Sequence, residues 1–301
     1  MTSLSLAERV AVITGAGGGL GRAYAIQLAA LGAKVVVNDR GVSSDGSGND
    51  KSAAEMVVDE ITRTGGEAVA SYDNVADWQG ATDIIQKAID RFGKIDILVN
   101  NAGILRDKSL PKMDPEDYRN VISVHLDGTF YCTKAAFIHM KEQKYGRIVS
   151  TASTTGLYGN FGQVNYGSAK MGIVGLMNCL KIEGARYNIL ANTVVPNAGT
   201  RMTATIMPPE LMEKLKPEYI APLVAWLSSE RCDVSGKIFT AGGGYFSTAR
   251  IVEGPGVLCN TDETLNVELI DRFINDIISD EKGQEFESAV EHTKYLFDRI
   301  S

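Results

Sequence analysis

No apolar run in the chain reaches the roughly 18 residues that a membrane-spanning helix needs, so no span is expected. The opening residues, MTSLSLAERV, lack both a basic leader and a long apolar stretch, so no secretory signal is expected. Cysteine is sparse and unpaired in pattern. Cys132, Cys179, Cys232 and Cys259 form no CxxC motif, which suits free thiols in a reducing compartment. The only histidines are His125, His139 and His292, and none has ligand spacing, so no metal site is expected. Basic runs are absent and the net charge is −7, which argues against a nucleic-acid partner. The closing FDRIS fits neither the ER-retention nor the peroxisomal tripeptide. No internal repeat is present.

What the chain does have is alternation. Apolar runs at 9–15, 33–39, 67–73, 95–101, 146–152, 189–195 and 237–243 read as strands. Amphipathic windows near 20–31, 51–64, 77–92, 114–141, from 163 and near 209–229 read as helices between them. Strands apolar throughout, separated by helices, mean a parallel sheet covered on both faces. The right-handed crossover rule then favours an α/β fold with a doubly wound, Rossmann-type sheet of about seven strands. Residues 1–245 form the expected catalytic domain. Residues 246–301 form an acidic, helical C-terminal extension or the start of a linker. The Gly/Ser/Asp-rich stretch 40–52 reads as a long mobile loop.

TGAGGGLG (14–21) follows the first strand and opens the first helix. Gly15, Gly19 and Gly21 permit a tight turn, and with Leu20 they bring backbone N–H groups and a helix N-terminus toward an anion such as a pyrophosphate. Asp39 ends the second strand. A carboxylate there accepts hydrogen bonds from a ribose and repels a 2′-phosphate, so NAD is expected over NADP; Arg40 is the counter-signal. The bland alternative is a turn that only packs strand on helix. Asn101, Ala102 and Gly103, in the NNAG at the end of the fourth strand, fall at the switch point of such a sheet, and Asn74 and Val75 end the third strand at the same edge. Ordinary turn chemistry is the competing reading for both.

Tyr166 and Lys170 stand four apart on a helix, hence on one face. An ammonium beside a phenol favours the phenolate and lowers its pKa from about 10, so the phenol can act as general base or acid. Ser153 lies just past the fifth strand, where its hydroxyl can hold a substrate oxygen; Ser150, Thr151, Thr154 and Thr155 compete for that role. Taken alone, Tyr166 reads more often as a helix-surface residue.

In order and spacing, the glycine loop, Asp39, NNAG, Ser153 and the Tyr166/Lys170 pair resemble the short-chain dehydrogenase/reductase family over about residues 6–245. The resemblance implies an NAD-dependent oxidoreductase in which Ser153 orients the substrate, Tyr166 is the acid/base, and Lys170 binds the nicotinamide ribose and tunes the tyrosine. It also implies cofactor contacts from Asn197 and Gly199. Within the family, TGAGGGLGRAYA, NNAGILRDKS, LYGNFGQVNYGSAK and PNAGTRMT resemble the (3R)-hydroxyacyl-CoA dehydrogenase domains of peroxisomal multifunctional enzymes. That implies an acyl-CoA substrate, β-oxidation, a peroxisomal rather than a cytoplasmic setting, a homodimer joined through helices near 114–141 and 163–185, and hydratase and carrier-like domains in a longer parent chain. A 3-ketoacyl reductase, a hydroxysteroid dehydrogenase and a non-catalytic dinucleotide-binding module are the alternatives.

His125 stands where many family members have a catalytic asparagine, whose main-chain carbonyl holds a water. His125 keeps a carbonyl, and its imidazole is either a satisfied helix histidine or has a further role. On the substrate side, Met202, Met207 and Met212 either adapt to an acyl chain or fill gaps. Arg106, Lys108, Lys112, Arg201, Lys214 and Lys216 either meet CoA phosphates or form a solvated basic face.

Overall fold

The computed structural model describes residues 4–48, 50–200, 208–260 and 265–300. Seven expected strands are present: β1 (Val10–Thr14), β2 (Lys34–Asn38), β3 (Ala68–Ser71), β4 (Ile97–Asn100), β5 (Gly146–Thr151), β6 (Ile189–Pro196) and β7 (Ile238–Gly242). An eighth, β8 (Tyr245–Ala249), follows β7 through Gly243 and Gly244. Both glycines have positive φ, 58° and 83°, which a two-residue hairpin requires. Strand order is β3-β2-β1-β4-β5-β6-β7-β8, and the pairings β1 through β7 are parallel. The order reverses between β1 and β4, so a crevice opens beyond their carboxyl ends.

Alternate residues of one strand serve two cores. Ala11 and Ile13 pack with Tyr24, Leu28 and Val224 on one face; Val10 and Val12 pack with Ile84, Ile85 and Ala136 on the other. The first face is covered by α1 (Gly19–Ala30), α2 (Ser52–Arg63) and α9 (Ala221–Leu227). The second is covered by α3 (Trp78–Phe92), α5 (Gly128–Gln143) and α7 (Val164–Gly184). This two-sided burial is why the strands β1 to β7 read as continuous apolar runs.

Several windows differ from expectation. The helix expected over 114–141 is α4 (Pro115–Ile122), one π-helical turn (Ser123–Asp127) and α5 in series. The helix expected near 209–229 is broken into α8 (Pro209–Lys214) and α9. Pro217 is the cause: it forces Lys216 to an extended ψ of 136°, which no α-helix accommodates. The five-residue α6 (Thr154–Tyr158) is additional. The loop after β2 is tied down rather than free. Its Ser44 carbonyl accepts from Leu105 N (2.8 Å) and its Asp45 carbonyl accepts from Arg106 Nε (3.1 Å).

The chain divides into two compact units, Met1–Thr248 and Ala249–Ser301. The second carries α10 (Val267–Ile277), α11 (Ala289–Ile300) and an antiparallel bridge between Glu253 and Gln284. Asn266 starts α10 by accepting from Leu269 N at 2.9 Å.

Candidate active site

The glycine turn is built for close approach. A side chain on Gly21 would put Cβ 2.2 Å from the Gly15 carbonyl oxygen, and one on Gly15 (φ 63°) would meet Ala102 Cα at 2.7 Å. Thr14 locks the turn to the loop after β4: its hydroxyl accepts from Asn101 N (3.0 Å) and Ala102 N (3.1 Å). Asn101 Nδ2 returns hydrogen bonds to the carbonyls of Thr14 (3.2 Å) and Gly15 (3.0 Å). Gly15, Gly21, Asn101 and Ala102 are thus one assembly at the switch point. Helix α1 opens at Gly19 with no side-chain cap and no acid in its first turn, leaving its N–H groups to an anion. Asp39 is fixed at the tip of the turn, accepting from Gly17 N (2.8 Å) and Gly41 N (2.7 Å). Arg40 is exposed.

Other expected contact residues have partners within the chain. Asn74 Oδ1 accepts from Ala76 N (3.2 Å) and Val75 is buried against Gly128, so both serve the entry into α3. Asn197 is exposed at the end of β6, its N–H donating to the Ala241 carbonyl at 2.7 Å. Gly199 donates to the Leu215 carbonyl at 2.7 Å and lies against Met212, and Thr200 lies beside Gly19. Arg201, Met202 and Met207 lie outside the described residues. Of the remaining basic candidates, Arg106 and Lys108 are held by Asp117 (3.2 and 2.7 Å) and Lys216 by Glu213 (2.9 Å). Lys112 and Lys214 are exposed.

Strand β5 and helix α7 bring Ser153, Tyr166 and Lys170 together. Ser153 caps α6, accepting from Thr155 N at 3.2 Å, and shares a side-chain hydrogen bond with the Tyr166 phenol. Lys170 is 3% exposed; its Nζ donates to the Thr151 carbonyl at 2.5 Å and sits 5.5 Å from the Tyr166 ring centroid. Three of the competing hydroxyls are engaged elsewhere. Ser150 accepts from Asn100 Nδ2 (3.2 Å), Thr151 meets Asn101 (3.5 Å) and Thr155 meets Gln163 (2.9 Å).

Burial reverses one electrostatic expectation. The Tyr166 phenol is held above, not below, its ordinary pKa: desolvation outweighs the Ser153 hydrogen bond, and the Asp107 charge adds to the rise. Lys170 is pushed down to about 7 by burial, so near neutrality its amine is only partly charged. His125, 1% exposed, is pushed down to about 3 by burial and then by the Lys170 charge. Its imidazole is therefore neutral at working pH, with one ring nitrogen protonated and the other bare.

His125 lies in the π-helical turn. Its Nε2 is within hydrogen-bond distance of both the Ile104 carbonyl (2.7 Å) and the Ile104 N–H (2.9 Å), and its ring meets Tyr166 edge-to-face at 5.1 Å. Its main-chain carbonyl accepts from Thr129 Oγ1 at 2.6 Å. Sequence reading missed three supporting groups. Thr14 is one. Asn165 is another, donating to the Arg106 carbonyl (2.9 Å) and accepting from Tyr166 N (2.8 Å). The third is Asp107, which accepts from Gln163 Nε2 at 2.7 Å. Only their adjacency to Gly15, to NNAG and to Tyr166 could have signalled them.

The family model described as short chain dehydrogenase matches residues 9–211. The chain belongs to the short-chain dehydrogenase family. It is 51% identical over 264 residues to the peroxisomal multifunctional enzyme type 2 of Drosophila melanogaster, covering 87% of this chain and 44% of that one. The structure of that full-length fly enzyme superposes with a TM-score of 0.84 at 42% identity, over 99% of this chain and 50% of the other. A 7α-hydroxysteroid dehydrogenase, solved with NADH and a 7-oxo bile acid, superposes with a TM-score of 0.73 at 30% identity, over 81% of this chain and 98% of the other. This short-chain dehydrogenase thus spans about half the length of the multifunctional relative it matches.

Proposed function

We propose that the chain oxidises (3R)-3-hydroxyacyl-CoA to the 3-ketoacyl-CoA with NAD in fatty-acid β-oxidation. One observation carries this reading: a serine hydroxyl, a phenol and a buried amine meet at the carboxyl edge of the sheet that also carries the glycine turn. The side-chain-free turn and the uncapped start of α1 fit a pyrophosphate, and Asp39 fits a ribose hydroxyl pair rather than a 2′-phosphate. Bound dinucleotide would accept the hydride from C3 and, when oxidised, add positive charge near the phenol. Ser153 holds the substrate hydroxyl oxygen. Tyr166 removes its proton. Charged Lys170 offsets the desolvation that otherwise keeps the phenol protonated.

On the substrate side, exposed Lys112 and Lys214 suit the CoA phosphates, and Met212 suits the acyl chain. A homodimer is supported by exposed Phe130 and Ile138 on α5 and Met171 and Ile182 on α7. The peroxisomal naming of the fly relative supports that compartment, and its greater length supports hydratase and carrier-like domains in a longer parent chain. The test is NADH formation from (3R)- and (3S)-hydroxyacyl-CoA esters of several lengths. Turnover of the (3R) series, lost by about 10²-fold or more in Tyr166→Phe, supports the proposal. Preference for (3S) esters, or activity indifferent to Tyr166, overturns it.

A further inference from the structure

We propose that Asp107 is a specificity-determining residue: its carboxylate keeps free 3-hydroxy acids out of the site and so reserves it for neutral 3-hydroxyacyl thioesters. The inference rests on the dehydrogenase reading above. Asp107 is the middle of three charges in a row, Arg106-Asp107-Lys108, on the loop after β4. The two cations turn away from it. Arg106 pairs with Asp117 at 3.2 Å; Lys108 pairs with Asp117 at 2.7 Å and with Asp114 at 2.9 Å. Asp107 has no ion pair among the described residues. Its place is fixed by three hydrogen bonds to residues 162–165. On one side the Arg106 carbonyl accepts from Asn165 Nδ2 (2.9 Å); on the other, Lys108 N donates to the Gly162 carbonyl (2.9 Å). Between them the Asp107 carboxylate accepts from Gln163 Nε2 at 2.7 Å. Gln163 is the N-cap of α7, three residues before Tyr166, and the Asp107 charge acts on the phenol. Burial raises the Asp107 carboxyl, while the Gln163 hydrogen bond favours its charged form.

The chemistry of the substrate turns this charge into a filter. The hydroxyl that meets Tyr166 is on C3, and the carboxyl carbon C1 is two carbons away. A thioester is uncharged at C1. A free acid carries a full negative charge there and has to bring it toward a second one in a partly desolvated site, where like charges repel far more than in water. The loop cations that could receive a carboxylate are already paired. Lys170 is buried, with its Nζ on the Thr151 carbonyl. Discrimination therefore comes from an unpaired charge set against the wrong substrate rather than from shape.

The test compares two forms of one acyl chain, of the length the CoA panel turns over best: the (3R)-3-hydroxyacyl-pantetheine thioester and the free (3R)-3-hydroxy acid, both with saturating NAD. The quantity read is the ratio of kcat/KM, acid over thioester, in which a change at the phenol cancels. Asp107→Asn keeps an acceptor for Gln163 and removes the charge; it is expected to raise the ratio about tenfold or more. Asp107→Glu keeps the charge and is expected to hold the ratio within about threefold of the parent. Added salt should raise the ratio of the parent, and raise it less in Asp107→Asn, because screening acts on charge and not on packing. Thioester turnover with a ratio that Asp107→Asn leaves unchanged overturns the exclusion and leaves the dehydrogenase reading intact. An equal rise in Asp107→Glu also overturns the exclusion, since the cause is then fit and not charge. Turnover of no hydroxyacyl thioester overturns the dehydrogenase reading, and the exclusion falls with it.

Discussion

Replacing Lys170 by methionine should stabilise the ligand-free protein while disabling it, and the stabilisation should depend on pH in a calculable way. Burial lowers the amine from a lysine's usual 10.5 to about 7. At 1.36 kcal/mol per tenfold change in proton affinity, the buried charge costs about 5 kcal/mol. The sign follows from proton counts. Between pH 7 and 10.5 the unfolded chain holds the proton and the folded chain has released it, so the cost is full below pH 7 and fades as pH rises toward 10.5. At pH 6 nearly all of it remains; at pH 9 about 2 kcal/mol remains. Methionine removes the cost but leaves the Thr151 carbonyl without its donor, a loss of about 1–3 kcal/mol. Urea unfolding at pH 6 should therefore show Lys170→Met more stable than the parent by about 2–4 kcal/mol, and at pH 9 nearly equal to it. The difference between the two pH values, about 3 kcal/mol, is independent of the lost hydrogen bond. A stability difference that is the same at pH 6 and pH 9 would refute the claim that this amine is desolvated.

Asp39→Ala should raise the NADP-to-NAD ratio of kcat/KM about tenfold, the equivalent of about 1.4 kcal/mol; an unchanged ratio removes Asp39 from cofactor choice. Tyr24 is fully buried and its hydroxyl has no partner among the described residues, so Tyr24→Phe should raise stability by about 1 kcal/mol and Tm by about 2–4 °C in a thermal melt. Gly21→Ala drives Cβ into the Gly15 carbonyl, so about 2 kcal/mol of stability and the fluorescence signal of NADH binding should be lost together.

What the sequence revealed divides along physical lines. Strands β1 to β7 were legible because two-sided burial demands continuous apolar runs, and the grouping of Ser153, Tyr166 and Lys170 because their places after β5 and on α7 bring them to one edge of the sheet. Strand β8 was not, since Tyr245 and Phe246 are exposed and impose no alternation. The break before Pro217 was signalled by the proline itself and overlooked beneath a strong helical pattern. The π-helical turn leaves no mark in hydrophobic period. Least legible was the direction of the Tyr166 shift. A Tyr/Lys pair on a helix implies a lowered phenol, but the desolvation that raises it is a property of the packed interior.

The π-helical turn at Ser123–Asp127 also has a geometric consequence. Each extra residue in a helix rotates everything downstream by about 100°. Forcing these residues into an ordinary spiral with none deleted would swing the sixteen residues of α5 off the sheet and take Cys132, Ala136 and Met140 out of the interior. The irregularity is therefore the joint that lets one continuous rod present His125 to the crevice and, a turn later, an apolar flank to the strands.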